Sequence, residues 1–427
     1  MKVLMFGWEF PPHISGGLGT ACYGLTKGMS AQGDVEIIFV VPKAFGDEDQ
    51  QTVQIVGANN VYLGESLVNY EKLLKKISFI QIGSNIVAYT SPEEYEKLVN
   101  SDKFKNKKYV NTLLGGKFNF SGGYGTDLFQ EISNYAIVAS QVSNQFSFDI
   151  IHAHDWLTYP AGIAAKEISG KPLVIHVHAT DFDRSGGNVN PGVYEIEKRG
   201  MDKADKIITV SNLTRNTVIN NYGINPDKVV TVYNAVEPIE YRTPIDELSN
   251  TDDRIVTFLG RVTLQKGPEY FIEAAHRVLQ KMTNVRFVMA GSGELLYRSI
   301  NRVAALRMGD RFHFTGFLKG DEVQKLFALS DVYVMPSVSE PFGISPLEAM
   351  QSNVPVIISR QSGVSEILQN AIKIDFWDID AMADAIYGIL SYRGLNKLFR
   401  KHGKSEVSNL KWENTASKVR EIYNTLT

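Results

Sequence analysis

The stretch "IVTFLGRVTLQKGPEYFIEAAHRVLQKMTNVRFVMAG", which runs from Ile255 to Gly291, decides the fold. A short β-branched, apolar run stands at each end, and the segment from about Pro268 to Lys281 between them has the pattern of a helix. A strand, a helix and a second strand in this order predict a βαβ unit with parallel strands.

The same alternation extends in both directions along the chain. Before this unit come "KVLMF", "VEIIFVV", "IIHAH", "PLVIHVHA", "KIITVS" and "KVVTVYN", and after it come "FHFTG", "VYVMP" and "VPVIIS". The polar stretch from Glu237 to Thr251 contains two prolines and is typical of a linker. We therefore predict an α/β protein with two doubly wound parallel-sheet domains, residues 1–238 and 239–405, followed by a C-terminal helix in 406–427.

Length and charge exclude several classes of protein. A chain of 427 residues is too long for one ordinary core, and a net charge of −3 argues against a nucleic-acid or anionic-membrane partner. A single cysteine rules out an intrachain disulfide. The N-terminal apolar run is broken at Gly7, Glu9 and Pro11, and no stretch approaches the roughly 20 apolar residues of a membrane span. We expect a cytoplasmic protein without integral membrane association, and the oligomeric state is left open.

Paired glycines follow the first predicted strand. In "GWEFPPHISGGLGTACYGL" a long loop leads to Gly16 and Gly17, and a helix begins there. Glycines before a helix let backbone N–H groups approach an anion, helped by the helix dipole. The segment is also a near miss of the dinucleotide fingerprint, with Cys22 at the third position and too long a loop. A plain strand–loop–helix connection remains the alternative.

Histidines and acidic residues follow two later strands. In "HAHDW" the side chains of His152 and His154 face the same side of a strand, and His154, at the strand end, is a candidate for a polar site. A structural histidine bonded to a carbonyl is the alternative, and an HxH pair without further ligands is a poor zinc signature. In "HVHATDFDR", Asp181, Asp183 and Arg184 either line a cleft or pair with one another.

Two cations follow the first strand of the second domain. In "FLGRVTLQKG", Gly260 opens a turn, and Arg261 and Lys266 lie five residues apart. Cations on one strand-end loop suit a diphosphate, which arginine binds in a bidentate manner. An exposed surface pair is the alternative.

The stretch "SEPFGISPLEAM", from Ser339 to Met350, holds two glutamates around a predicted turn. Ser345 resembles an N-cap, Pro346 sits at the first helical position, and Glu348 falls at the third, which is the pattern of a capping box. Glu340 has no such local role because it precedes the turn.

A helix start of this kind offers donors as well as carboxylates. The backbone N–H groups of Gly343, Ile344 and Ser345 are expected to face the cleft, where a phosphate could dock. Carboxylates bind sugar hydroxyls because they accept from two adjacent O–H groups. Cations, free N–H groups and two glutamates together predict a nucleotide-sugar donor between the two domains.

Five motifs carry a family resemblance along nearly the whole chain. In order and spacing, "SGGLG", "HAHDW", "GRVTLQKG", "GSGE" and "EPFGISPLE" resemble GT-B retaining glycosyltransferases of families 4 and 5. The nearest likeness is to the short glycogen synthases of archaea and some bacteria. The fold of that family implies that the tail helix with Trp412 crosses back to the first domain.

The resemblance also implies roles for the site residues. Glu340 would contact the 3- and 4-hydroxyls of the donor sugar, and Glu348 would hold the ribose hydroxyls while capping its helix. Arg261 and Lys266 would stabilise the leaving diphosphate. His154 would lie near the sugar C6 and the reacting centre.

On the other side of the cleft, Gly16 and Gly17 would approach the donor phosphates. The implied reaction moves glucose, with retention, to the 4-hydroxyl at the non-reducing end of an α-1,4-glucan. No cofactor or metal is predicted, although "DFD" at Asp181 to Asp183 keeps a metal motif open. The longer bacterial synthases carry a lysine where this chain has Ile14, which favours UDP-glucose over ADP-glucose.

The binding site for the acceptor is predicted from the stretch "KFNFSGGYGTDLF", in which aromatic residues are interspersed with glycines. Tyr124 and Asp181 are the candidate acceptor residues, and a loop that packs its own aromatics is the alternative. A family 4 hexosyltransferase of another polysaccharide or glycolipid pathway would share these motifs. If it faced a membrane it should show a basic amphipathic helix, and the sequence shows no clear one.

Two other classes remain as alternatives. An oxidoreductase would need an intact G-x-G-x-x-G after a strand, which is missing. A non-catalytic glucan-binding protein would have little reason to combine the two cations with Glu340.

Overall fold

The computed structural model describes residues 1–14, 16–63, 113–114, 116–125, 127–238 and 253–427. Most of the predicted linker, and the residues that follow the predicted boundary at 238, lie outside the described residues. The division into 1–238, 239–405 and 406–427 stays a prediction.

The first half of the chain forms a seven-stranded parallel sheet. The strands here are β1 (Lys2–Phe6), β2 (Glu36–Val41), β3 (Gln54–Gly57), β4 (Leu113–Leu114), β5 (Lys117–Phe118), β6 (Ile150–His154), β7 (Leu173–Val177), β8 (Lys206–Thr209) and β9 (Val229–Thr231). The order across the sheet is β3-β2-β1-β6-β7-β8-β9, and β4 and β5 form a separate two-stranded antiparallel pair.

The second half forms a six-stranded parallel sheet. Its strands are β10 (Arg254–Leu259), β11 (Val285–Ala290), β12 (Phe312–Gly316), β13 (Val332–Met335), β14 (Val356–Ser359) and β15 (Ile372–Ile374). The order is β12-β11-β10-β13-β14-β15. The prediction of two parallel α/β sheets is confirmed, while the short strands β3 and β15 were not predicted.

Helices cover these sheets, whose strands are apolar enough to be buried on both faces. They are α1 (Gly17–Ser30), α2 (Leu128–Gln145), α3 (Tyr159–Ser169), α4 (Asp181–Ser185), α5 (Pro191–Lys203), α6 (Asn212–Tyr222), α7 (Pro268–Leu279), α8 (Leu296–Ala305), α9 (Asp321–Leu329), α10 (Ser345–Gln351), α11 (Ile379–Ser391), α12 (Arg393–Val407) and α13 (Trp412–Asn424). In the part of the chain that the structure describes, no helix is long and apolar enough to cross a bilayer.

The C-terminal helix α13 packs on α1, at the far end of the chain from it. Trp412 is 3% exposed and lies in the core cluster of the first sheet, together with Val419. Close approach depends on small residues, because a Cβ at Gly24 would lie 2.2 Å from the Trp412 ring. Burial of this indole is worth about 3–5 kcal/mol on the scale of tryptophan-to-alanine substitutions in cores.

The tail contains two helices, and the second lies within the predicted range 406–427. The first, α12, ends at Val407, and α13 begins at Trp412. On α12 the side chains of Leu395 and Leu398 are exposed, at 37% and 50%. Exposed cations lie along the same helix: Arg393, Lys397, Lys401 and Lys404. This is a basic amphipathic helix, so the expectation that the chain has no clear one was wrong.

Contacts between the two halves surround the β13–β14 side of the second sheet. The Glu366 carboxylate accepts hydrogen bonds from the backbone N–H groups of Asn212 (2.9 Å) and Leu213 (2.7 Å), at the start of α6. It also accepts from the Tyr233 hydroxyl at 2.8 Å. A carboxylate at a helix N-terminus is favoured by the helix dipole, so Glu366 ties the two halves together.

Candidate functional site

Each sheet has one point where its strand order reverses. In the first sheet β1 and β6 are neighbours, and in the second β10 and β13 are neighbours. Ligands of open α/β sheets bind beyond the carboxyl ends of the strands at such a point. The candidate residues follow these four strands: Gly16 and Gly17 after β1, His154 at the end of β6, Arg261 and Lys266 after β10, and Glu340 after β13.

An ion pair stands at the second reversal point. The Lys266 ammonium bonds to the Glu340 carboxylate, although 74 residues separate them. The Ser337 hydroxyl donates to the same carboxylate oxygen at 3.1 Å. Lys266 belongs to a single 3₁₀ turn, Leu264–Lys266, which the backbone bond from Val338 N–H to the Gln265 carbonyl (2.8 Å) holds against the β13 loop. Two predicted site residues are thus brought into contact.

Arg261 lies on the same loop and donates to the Gln265 side-chain carbonyl at 3.2 Å. Two loops meet closely behind it. A Cβ at Gly291 would lie 1.8 Å from the Gly260 carbonyl oxygen, so the close contact requires glycine at 291. Close packing behind this loop therefore holds Arg261 and Lys266 in place, which lowers the entropic cost of positioning a diphosphate.

The predicted capping box of "SPLE" is not formed. Ile344, not Ser345, is the N-cap residue of α10, and no side chain caps this helix. With that shift of one residue, Glu348 falls one position too late to reach back to the cap. The local role predicted for Glu348 is therefore wrong. Burial raises its pKa to about 7, so near neutral pH it exists as carboxylate and acid in similar amounts.

Backbone donors stand beside these glutamates. Gly343 adopts φ of +98°, which a residue with a side chain rarely adopts. Among the described residues, the N–H groups of Gly343 and Ile344 donate to no backbone carbonyl. These donors are thus free to bind a ligand.

On the first sheet, Gly16 is the N-cap of α1 and Gly17 is its first residue. Ser15, within the quoted glycine motif, lies outside the described residues. A Cβ added to Gly17 would meet no atom within 4 Å, whereas one added to Gly19 would lie 2.4 Å from the Ile14 side chain. Packing therefore explains glycine at 19 but not at 17.

Four imidazoles, not two, lie at the ends of β6 and β7. His154 is fully buried, and its Nδ1 lies 3.0 Å from Nε2 of His178. His152 bonds through Nδ1 to the Tyr423 hydroxyl, and the His176 ring is stacked between the others. Desolvation lowers the pKa values of all four, that of His178 to about 4. The imidazoles are therefore neutral at physiological pH.

His178 was not identified from the sequence. The signal was present, because "HVH" at the end of β7 repeats the H-x-H spacing of "HAH" at the end of β6. Parallel neighbours bring such strand ends together, and His154 is paired with His176 in the register. β6 and β7 are consecutive strands joined by α3, so the chain order itself favours their adjacency in the sheet.

A buried charge network supports the His178 loop. Asp155, at φ of +63°, accepts hydrogen bonds from the backbone N–H groups of His178 (3.1 Å) and Ala179 (3.2 Å). Arg184 pairs with Asp155 at 3.2 Å and with Glu197 at 3.0 Å. Burial raises the pKa of Glu197 to about 7. Arg184 thus forms ion pairs with Asp155 and Glu197, and its charge also acts on the Asp181 carboxylate.

The two acceptor candidates have structural roles. Asp181 is 2% exposed and accepts from the Asn190 N–H at 2.6 Å. Tyr124 is 8% exposed and packs with Trp8 at a ring-centroid distance of 6.5 Å. Their burial favours the alternative of a loop that packs its own aromatics, and acceptor contact at Asp181 and Tyr124 stays a prediction. Phe118 and Phe120 lie in the same core cluster.

Asp183 joins the two halves beside the Lys266–Glu340 pair. It accepts from the N–H and hydroxyl of Thr180, both at 2.8 Å, and so closes a capping box on α4. Its other oxygen accepts from the Ser339 hydroxyl of the second half at 2.5 Å. Both oxygens of the Asp183 carboxylate thus accept hydrogen bonds from the protein. The bond from Ser339, the chain neighbour of Glu340, joins the segment after β7 to the loop that carries Glu340.

Comparison with known proteins agrees with this geometry. The family description "Glycosyltransferase Family 4" matches residues 119–239, and "Glycosyl transferases group 1" matches residues 242–406. The chain is 28% identical to an uncharacterized glycosyltransferase of Methanocaldococcus jannaschii, over 99% of this chain and 98% of that protein. It is 23% identical to the glycogen synthase of Mycobacterium tuberculosis, over 99% and 94%. The structure of Anabaena HepE with UDP-glucose has the same fold, with a TM-score of 0.68 at 16% identity over 100% of both chains.

Proposed function

The chain belongs to the GT-B glycosyltransferases of the family 4 and 5 type, and we propose that it transfers glucose, with retention, from UDP-glucose to the 4-hydroxyl at the non-reducing end of an α-1,4-glucan. The observation that carries the proposal is the Lys266–Glu340 ion pair beside Arg261 at the reversal point of the second sheet. It sets a hydroxyl-binding carboxylate next to two cations, as a sugar diphosphate requires.

The cations act on the leaving group. As the bond between the sugar C1 and the phosphate oxygen breaks, negative charge develops on the diphosphate. Arg261 and Lys266 stabilise that charge, and preorganised groups of this kind contribute most of the rate in many enzymes. The N–H groups of Gly343, Ile344 and Ser345 add further donors. With this much positive potential, the reaction needs no metal.

The carboxylates bind hydroxyls. Glu340 accepts from the 3- and 4-hydroxyls of the glucose, in exchange for part of its bond to Lys266. Glu348 accepts from the ribose hydroxyls, which requires its ionised form. On the opposite wall, Gly17 leaves room for the donor phosphates to approach the backbone of α1, and His154 lies near the sugar C6.

Retention follows a front-face displacement. The bond from the acceptor O4 to C1 forms on the face from which the phosphate leaves, and a phosphate oxygen takes the acceptor proton. The donor base is assigned from Ile14. This apolar side chain packs on Gly19 and supplies no cation where the ADP-glucose enzymes of the family have lysine.

The test is nucleoside diphosphate release by the purified protein, supplied with UDP-glucose or ADP-glucose, with and without glycogen, in a chelator. We expect glycogen-dependent release that is faster with UDP-glucose and lost in Glu340→Ala. A matched control is Glu413→Ala, an exposed glutamate on α13, which should leave release unchanged. Release with neither donor would remove the glucan assignment.

The basic amphipathic helix α12 favours a second candidate, a hexosyltransferase that acts on a glycolipid. Leu395 and Leu398 are exposed beside Lys397 and Lys401, an arrangement that suits an anionic bilayer surface. Sedimentation with vesicles of anionic or zwitterionic lipid separates the candidates. Binding to the anionic vesicles that is lost in Lys397→Glu/Lys401→Glu would support the glycolipid acceptor, and no binding would remove it.

A further inference from the structure

The cluster of imidazoles at the first reversal point has more nitrogen atoms than the protein satisfies. Among the ring nitrogens of these four histidines, those that are buried without a hydrogen-bond partner are Nε2 of His152, Nε2 of His154, both nitrogens of His176 and Nδ1 of His178. Buried polar groups without partners are rare in folded proteins, because each costs free energy. Two nitrogens of the cluster face each other, since Nδ1 of His154 and Nε2 of His178 share a hydrogen bond that an ion placed between them would replace.

A thiol lies beside two of these rings. Cys22, on α1, is 1% exposed, and one ligand atom each from Cys22, His154 and His178 lie within 4.8 Å of one another. His154 Nδ1 and His178 Nε2 are already 3.0 Å apart. In a tetrahedral zinc site the Zn–N bonds are about 2.0–2.1 Å long, which places two ligating nitrogens roughly 3.3 Å apart. The two rings need to separate only slightly to admit an ion.

We infer that Cys22, His154 and His178 form a site for a zinc ion, which leaves a fourth position for water and which blocks the donor site. The chemistry suits the ion, because one thiolate and two imidazoles are ligands that Zn²⁺ prefers. The ion is not a reactant. It is an inhibitor, since it takes the His154 ring that the proposed function sets near the donor sugar. This last step rests on the proposed function, whereas binding does not.

Binding conserves the charge of the imidazoles and releases one proton. The rings are neutral, because burial lowers their pKa values, so the proton in the bond between His154 and His178 moves to an outer nitrogen when the ion enters. Burial raises the pKa of the Cys22 thiol, so the ion displaces the thiol proton to bind the sulfur.

A second set of ligands overlaps this one but suits an ion less well. His152, His154 and His176 also approach within 4.8 Å. All three are almost fully buried, and Nδ1 of His152 is taken by the Tyr423 hydroxyl. His178, in contrast, is partly exposed and gives the first set a route to solvent. Since His176 belongs only to the second set, substitution of His176 tests which of the two sets binds the ion.

The experiment is titration of the purified full-length chain with Co²⁺, a spectroscopic substitute for zinc, followed by displacement with Zn²⁺ against a chromophoric chelator. We expect one equivalent to bind, with a thiolate-to-cobalt charge-transfer band and the visible bands of a tetrahedral ion. Cys22→Ser and His178→Gln should weaken binding by at least about a hundredfold, since loss of even an outer-sphere partner costs 10–100-fold. The matched control His176→Gln should bind as the wild type does.

Two results would overturn the site: no tight equivalent in the wild type, or an unchanged cobalt spectrum in Cys22→Ser. Circular dichroism and thermal melting check that each variant is folded, and Cys22→Ala provides a second test if the serine variant is not. In transfer assays, Zn²⁺ should inhibit the wild type and leave Cys22→Ser active. Zinc binding without inhibition would refute the proposal that the ion blocks the donor site. The cobalt spectra detect the ion even if the chain transfers no glucose, so the metal site is tested independently of the proposed function.

Discussion

The two reversal points face the same cleft but differ in charge. On the first sheet, the strand ends carry neutral imidazoles such as His154 and His178, and a glycine helix start. On the second, they carry Arg261 and the Lys266–Glu340 ion pair. The two cations predicted to bind the diphosphate thus lie on one side of the cleft, where the proposed reaction develops negative charge on the leaving group. The other side is suited to shape and to hydroxyl groups.

The difference extends to how each side is supported. Behind the neutral side lies a buried network of charges, in which Arg184 pairs with Asp155 and Glu197. Behind the charged side lie close backbone contacts at Gly291 and around Gln265. The comparison predicts that substitutions behind the first side affect stability most, and that substitutions on the second affect turnover most.

The largest effect is expected for Arg184→Met. It leaves the carboxylates of Asp155 and Glu197 buried without their cation, so the free energy of unfolding should fall by about 3–5 kcal/mol. Urea denaturation followed by tryptophan fluorescence measures this loss. Arg393→Met, at an exposed arginine on α12, is the control and should change stability little. A loss of unfolding free energy below about 1 kcal/mol would contradict this expectation, because exposed surface ion pairs contribute no more than that.

Next is Lys266→Ala, which removes a cation from the charged side. Turnover should fall by about a hundredfold or more, because stabilisation of the developing charge is lost. Initial rates of nucleoside diphosphate release test this expectation. The control Lys281→Ala removes an exposed pair with Asp384 and a contact with the Tyr387 ring, and its rate should match the wild type. If Lys266→Ala releases nucleoside diphosphate as fast as Lys281→Ala does, Lys266 does not stabilise the leaving group.

A smaller effect is expected for Gly17→Ala on the neutral side. The added methyl group meets no protein atom within 4 Å, so the melting temperature should be unchanged or slightly higher. The donor KM should rise, by up to about a hundredfold if the donor phosphates are displaced. Gly19→Ala is the contrasting variant. Its Cβ would meet the Ile14 side chain, so the substitution should lower the free energy of unfolding by about 1–3 kcal/mol. An unchanged donor KM in Gly17→Ala would contradict donor contact there.

The smallest effect is a pH dependence through Glu348, whose pKa burial raises to about 7. Ribose hydroxyls bind the ionised form, so donor affinity should rise roughly tenfold between pH 6 and pH 8. The folded chain keeps this proton more tightly than the unfolded chain does, so the stability it contributes is lost as the pH rises from about 4.5 to about 7. Isothermal titration with UDP-glucose and thermal melts should show both trends, and Glu348→Gln should flatten both.

Much of the fold follows from the sequence because parallel strands buried on both faces read as apolar runs. The runs at β1, β6, β10 and β13 were each identified within a residue or two, which is enough to find the residues that follow them. The short strands β3 ("QIVG") and β15 ("IKI") were missed because polar or glycine residues interrupt their apolar runs.

The site was harder to predict where tertiary contacts decide. The helix start at Ser345 shifted by one residue, which is within the ordinary uncertainty of helix ends, and that shift removed the capping role of Glu348. Asp181 and Tyr124 are polar enough to suggest a ligand, but both have partners within the protein: Asp181 accepts from Asn190, and Tyr124 packs on Trp8 from the start of the chain. His178 lies beside His154 because β6 and β7 are consecutive parallel strands, so the two H-x-H runs did carry this signal.

The central claim is retaining transfer of glucose from UDP-glucose to a glucan, carried by the charged side of the cleft. The most direct measurement is a ¹³C–¹H NMR spectrum of maltooligosaccharide incubated with the enzyme, UDP-[¹³C]glucose and a chelator. We predict a new α-configured anomeric signal from labelled glucose, linked to O4 of the non-reducing end and absent with Lys266→Ala. A β-configured signal, or no labelled product, would contradict the account.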